Sequence, residues 1–211
     1  YAFRLEVTRP PAGDNLAEIE AMAETLPLPV AREEADALAQ RLGLERIEDC
    51  VYLGFESSIP QIDADKFGDM HDFDQLNNLS EMMVEMSPSD QVKFKAVLSA
   101  EEPENIEQVL DIARSLDQYE FAPMVEDEAH FFKSYIQRHL DTKVDPRWLD
   151  SLLARNEGTE LLERVGGTLT DYGVISSRGG TLYEPVSRYE PEQAETEEIE
   201  HNEIKQTIGG N

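Results

Sequence analysis

Asp63 to Asp74 has the residue types and spacing of a calcium loop. Asp63 and Asp65 stand at loop positions one and three, Gly68 at six and Asp74 at twelve. Two substitutions work against that chemistry. Phe67 occupies a position that should supply an oxygen, and Asp74 is shorter than the Glu that normally chelates through both oxygens. A solvated acidic loop is the better reading. His71, His130, His139 and His201 form no HExxH, HxH or paired-Cys pattern. Cys50 sits beside Val51 and Leu53, where a free thiol behaves as a small core residue. GxSxG, Walker and GxGxxG motifs are all missing. Close carboxylate pairs carry no weight for acid–base catalysis when a chain has 45 acids. No catalytic residue, metal or cofactor is expected. Met82, Met83, Met86, Phe131, Phe132 and Tyr135 recur at helical spacing and read as helical core, with a dimer seam or ligand pocket as the alternatives.

What remains is the charge itself. Asp and Glu number 45 against 18 Lys and Arg, a net charge of −27. Between Glu56 and Glu128 there are nineteen acids and four bases (Lys66, Lys93, Lys95, Arg114), so this stretch holds more than half of the net charge. These acids alternate with apolar residues. In Asn105–Leu116, Ile106, Val109, Leu110 and Ala113 share one helical stripe, while Glu104, Glu107 and Asp111 fall off it. A folded scaffold holding anions in place is therefore expected. Such a surface repels nucleic acid and acidic membrane and favours a basic partner, above all a protein surface that itself binds DNA or RNA. A salt-adapted surface would have the same composition.

The elements that hold these acids are legible in outline. Ala2–Thr8 alternates as a half-buried strand, and Leu16–Leu26 fits either helix or strand before Pro27 and Pro29 break the pattern. Glu33–Leu42 reads as a helix stopped by Gly43, and Cys50–Phe55 as a short strand. Helices follow over Asp74–Met86, after a Ser87-Pro88-Ser89-Asp90 start, and over Glu104–Leu116. Gln118–Phe121 is a candidate strand stopped by Pro123, Glu126–Leu140 a helix, and Asp145-Pro146 the start of another helix carrying Trp148 and Leu149. Thr168–Ile175 and Thr181–Val186, joined at Gly179-Gly180, suit a hairpin. The fold class predicted is α+β: an elongated chain of three small domains with a disordered acidic C-terminal tail. Residues 1–62 form an α+β domain, 63–117 a helical one, 118–186 a second α+β domain, and 187–211 the tail. One cysteine, no membrane-length apolar run and no signal-peptide pattern predict a cytoplasmic protein.

Four pieces in order give a resemblance. Leu26-Pro27-Leu28-Pro29 precedes Ala35-Asp36-Ala37-Leu38, and Asp74-Gln75-Leu76-Asn77-Asn78-Leu79-Ser80 opens a helix. Val109–Leu116 leads into Asp117-Gln118-Tyr119-Glu120-Phe121-Ala122-Pro123. Gly166-Gly167-Thr168-Leu169-Thr170-Asp171-Tyr172-Gly173-Val174-Ile175 closes the series. Over residues 2–184 the chain resembles the ArdA-type antirestriction proteins, DNA mimics carried by conjugative plasmids and transposons. The resemblance implies a homodimer, joined through the last domain into a curved rod. Its carboxylates would stand where DNA phosphates lie in the groove of a type I restriction-modification enzyme, on the methyltransferase core and specificity subunit. Carried onto this chain, the mimic surface would comprise Asp69, Asp72, Asp74, Glu81, Glu85, Glu101, Glu102, Glu104, Glu107, Asp111, Asp117, Glu120, Glu126, Asp127 and Glu128. The family's antirestriction motif would correspond to Val125–Tyr135, with Phe131, Phe132 and Tyr135 as the motif or dimer region. Phe131-Phe132 departs from the Leu-Gly pair expected there. An acidic adaptor or chaperone for another basic nucleic-acid-binding defence protein is the alternative.

Overall fold

The computed structural model describes residues 1–11, 22–64, 67, 72–139, 147 and 152–184. Two small antiparallel sheets and the helices between them make an α+β fold. The first sheet has β1 (Phe3–Thr8) at its centre, between β2 (Glu24–Leu28) and β3 (Val51–Ser57). Phe3, Leu5 and Val7 point into the core, as the alternation in the sequence requires. Pro27 does not end β2. It pairs with Arg4, and Leu26 and Leu28 on either side are buried. An edge strand accepts proline because an N–H facing away from the sheet has no ladder partner to lose. Residues 12–21, most of the ambiguous Leu16–Leu26 segment, lie outside the described part.

α1 (Arg32–Arg41) packs Ala35, Leu38 and Ala39 inward, and Gly43, at φ +84°, ends it as expected. α2 (Phe73–Glu85), α3 (Pro88–Glu101) and α4 (Ile106–Arg114) begin at Asp72, Ser87 and Asn105, each capping with its own side chain. Ser87 Oγ accepts from Asp90 N at 3.1 Å, with Pro88 at the first helical position. One hydrophobic core takes residues from Ala2 through Tyr119 and Ile175, so residues on both sides of position 62 contribute to it.

The second core joins α5 (Glu128–His139), α6 (Leu152–Val165) and a sheet of β4 (Phe121–Pro123), β6 (Gly173–Ser176) and β5 (Gly167–Thr170), in that order. The hairpin differs from the one expected from the sequence. The hairpin turns at Asp171-Tyr172, while Thr181–Glu184 forms no strand and Gly179-Gly180 is a separate turn. Thr170 explains the choice, since its Oγ1 accepts from Tyr172 N and donates to the Gly173 carbonyl at 2.8 Å. The helix start at Asp145-Pro146 and the tail from Ser187 lie outside the described residues.

α3 packs against β5 and β6, and Gln61 Nε2 donates to Ser99 Oγ and to the Tyr172 hydroxyl, each at 3.0 Å. That one amide ties the loop after β3 to α3 and to the hairpin turn. Gly173 is the tightest point of the second sheet. At φ +132° it lets β6 approach β4 so closely that an added Cβ would lie 2.3 Å from the Ala122 carbonyl oxygen. Gly173→Ala is therefore expected to cost about 2–4 kcal/mol, read as a lower urea midpoint at unchanged slope.

Candidate interaction surface

Each central helix buries one face and holds acids on the other. On α2, Leu76, Leu79 and Met83 are buried, while Asp74, Glu81 and Glu85 are exposed and recur at seven and four residues along one side. On α4, Ile106, Val109, Leu110 and Ala113 are buried and Glu107 and Asp111 exposed, as the periodicity predicts. Glu101, Glu102, Glu104, Asp117, Glu120 and Glu126 are also exposed, and Asp127 and Glu128 are half-buried. Asp69 lies outside the described residues.

Several of these carboxylates hold the fold as well as facing water. Asp72 caps α2 by accepting from Asp74 N and Gln75 N at 3.0 and 3.3 Å. Asp127 accepts from His130 N at 2.8 Å, and Glu120 accepts from Leu182 N at 2.8 Å. Glu81 accepts from Asn77 Nδ2 at 3.2 Å. Asp74 is one of three carboxylates gathered by Arg32, with Asp36 and Glu48. The Arg32 guanidinium also lies over the Phe73 ring, 5.7 Å from its centroid. Among the described residues, Glu85, Glu102, Glu107, Asp117, Glu126 and Glu128 make no ion pair.

Glu101, Glu107 and Asp111 converge on one hollow of about 500 Å³, beside Tyr119 and Arg178. Arg178 reaches Asp111 at 2.6 Å and donates to Gln118 Oε1 at 2.9 Å. The contact with Asp111 holds its guanidinium above the usual arginine value. Tyr119 is raised by burial and then by the neighbouring Glu101 charge. Neither arginine clamp was legible in the sequence. Arg32 and Arg178 lie far along the chain from most of their partners, and isolated arginines carry no spacing signal.

Phe131, Phe132 and Tyr135 are all buried, at 0, 3 and 1 % exposure. They are core, and any contact this region makes with another chain goes through its exposed neighbours. Met83 is buried, with Met82 and Met86 packed partly exposed against the first core. The calcium-like spacing falls partly outside the described residues, as does His71. Among the described residues, no group of three or more His, Cys, Asp or Glu could hold a metal ion, and no helix is long and apolar enough to cross a membrane. Cys50 is buried and its thiol is pushed up to about 11 by burial, with the Asp49 and Glu48 charges adding to the effect. No protein-family model matches the chain, and no curated protein matches it.

Two outcomes follow for stability. Repulsion among the surface acids is screened by salt, so the melting temperature is expected to rise with NaCl as the Debye length falls from about 10 Å at 0.1 M to about 3 Å at 1 M. A fall would mean that the internal ion pairs outweigh the repulsion. Alkaline pH acts first through Cys50 and then, from about pH 10, through Tyr52, Tyr119 and Tyr183, whose hydroxyls burial also raises. The unfolded thiol ionises first, so its contribution is complete below pH 9.0 and is lost as pH rises towards about 11. Denaturant midpoints should fall across that window, and Cys50→Ala should reduce the slope between about pH 9 and 10 while the tyrosines keep it above pH 10.

Proposed function

We propose that this chain is a non-enzymatic DNA mimic of the antirestriction type. It would occupy the DNA groove of a type I restriction-modification enzyme, on the methyltransferase core and specificity subunit, in the cytoplasm. The observation that carries the reading is the set of exposed acids held by the folded chain on α2, on α4 and in the turns beside α3 and α5, with Glu85, Glu102, Glu107, Asp117 and Glu126 free of ion pairs among the described residues. An elongated three-part chain acting as a homodimer, as the resemblance implies, belongs to the same proposal.

The charge is of the right size. B-DNA carries two phosphates per base pair, so −27 corresponds to roughly 13 base pairs and a dimer to roughly 27. Its density on any one element is too low. Carboxylates four residues apart on a helix are spaced about 6 Å along its axis, against about 3.4 Å per phosphate on one DNA strand. A single helix face therefore cannot stand in for a strand, and the mimicry must be collective across several elements. Carboxylates on helices also do not copy base edges, so competition would be for the phosphate-reading part of the groove and independent of sequence.

The test is displacement of DNA from a type I methyltransferase–specificity complex by the purified chain. Stoichiometric release that weakens as salt is raised is expected. Single changes such as Glu107→Gln should weaken it by less than about threefold, whereas joint neutralisation of Glu85, Glu102, Glu107 and Asp117 should abolish it. Failure to displace DNA at low salt, or loss of inhibition from one substitution, would sink the proposal. In the first case an acidic adaptor for another basic protein becomes the better reading.

A further inference from the structure

We propose that Met124 is an apolar anchor of the interface with the basic partner, entering a recess of the kind that receives a base turned out of its duplex. The inference rests on the antirestriction reading and deepens it by naming a contact that the carboxylates do not make. Met124 stands on the turn between β4 and α5 and is 89 % exposed, against 61 % for Tyr1 and 50 % for Val84. Its backbone is left-handed, at φ +60°. Side chains other than Asn and Asp seldom adopt that conformation, and glycine holds it without strain. Among the described residues, Glu102 is the other non-glycine residue at positive φ. Glu102 ends α3, where the left-handed conformation belongs to the helix cap and its N–H donates to the Leu98 carbonyl. Met124 ends no helix, and its side chain belongs to neither core.

The neighbours of Met124 are anchored, so its outward direction is built into the fold. Pro123 pairs with Gly173 across the β4–β6 ladder, and Val125 is buried in the second core. Asp127 then accepts from His130 N at 2.8 Å at the start of α5. Around this projection the charge has one sign. From Asp117 to Glu128 the chain carries Asp117, Glu120, Glu126, Asp127 and Glu128 and no Lys or Arg. A second copy of the chain would bring the same acids and be repelled here, which favours a basic partner as the occupant. An apolar group flanked by anions has the make-up of an extruded base between its phosphates. Enzymes that modify bases keep an apolar or aromatic pocket for such a base. A flexible thioether suits that pocket, since sulfur packs favourably against aromatic rings.

The experiment is displacement of DNA from a type I methyltransferase–specificity complex by the full chain, by Met124→Gly and by Met124→Leu, repeated as salt is raised. Met124→Gly should weaken displacement about five- to tenfold without abolishing it, because the field of the acids is intact. Met124→Leu should weaken it by less than about twofold. An apolar contact releases no counterions, so the slope of log affinity against log salt should be the same for all three chains. Glycine fits φ +60°, so the melting temperature of Met124→Gly should be no lower than that of the unaltered chain, which separates lost contact from lost folding. If the unaltered chain and Met124→Gly release DNA equally, the inference falls and the antirestriction reading stands. If the unaltered chain releases none at low salt, both fall. A changed salt slope would overturn the inference, and so would a changed sedimentation mass for Met124→Gly, which would assign Met124 to a contact between copies.

Discussion

Like charges fixed on one surface repel, and in this protein that repulsion sets the terms for everything else. A net −27 over 211 residues favours expansion of the chain, so the fold must be held by contacts that charge does not touch. Two hydrophobic cores supply them. The ladders of two short antiparallel sheets and the caps of α2, α3 and α4 satisfy the backbone around those cores. Some of the acids serve this end directly. Asp72, Asp127 and Glu120 accept backbone N–H groups, which turns part of the charge into local structure.

The few bases are placed with comparable effect. Arg32 draws together Asp36, Glu48 and Asp74, linking α1, the turn before β3 and α2. Arg178, just after the last strand, ties itself to Asp111 of α4 and to Gln118. Each arginine bridges segments distant in sequence and relieves repulsion where carboxylates crowd. Exposed pairs of this kind add little individually, and their value lies in bringing opposite charge to the densest clusters. Lys93, Lys95 and Arg114 are used differently, left outward around an apolar corner.

The folded chain thus carries two kinds of surface. One consists of carboxylates on the water-facing sides of α2 and α4, suited to a long-range field. The other is Met124 on the turn after β4, suited to short-range contact. The first would act at a distance of several ångströms on any basic groove, with no single residue decisive. The second depends on shape and on one side chain.

Periodicity carried most of the local structure. The buried stripe of α4, the Ser87-Pro88 start of α3, the Gly43 stop and the alternation of β1 were legible because each depends on neighbours in sequence. The exposure of Glu104, Glu107 and Asp111 followed from the same stripe, since a residue off the apolar face of a helix faces water. Tertiary context decided the rest. Pro27 lies within a strand because β2 is an edge, and the last hairpin turns at Asp171-Tyr172 because Thr170 bonds there and Gly173 must fit under the Ala122 carbonyl. The burial of both Phe131 and Phe132 required α6 and the second sheet to pack around them, and the arginine clamps required partners up to 67 residues away. Charge and periodicity are properties of the chain itself, whereas edges, clamps and the line between core and seam exist only once distant segments meet.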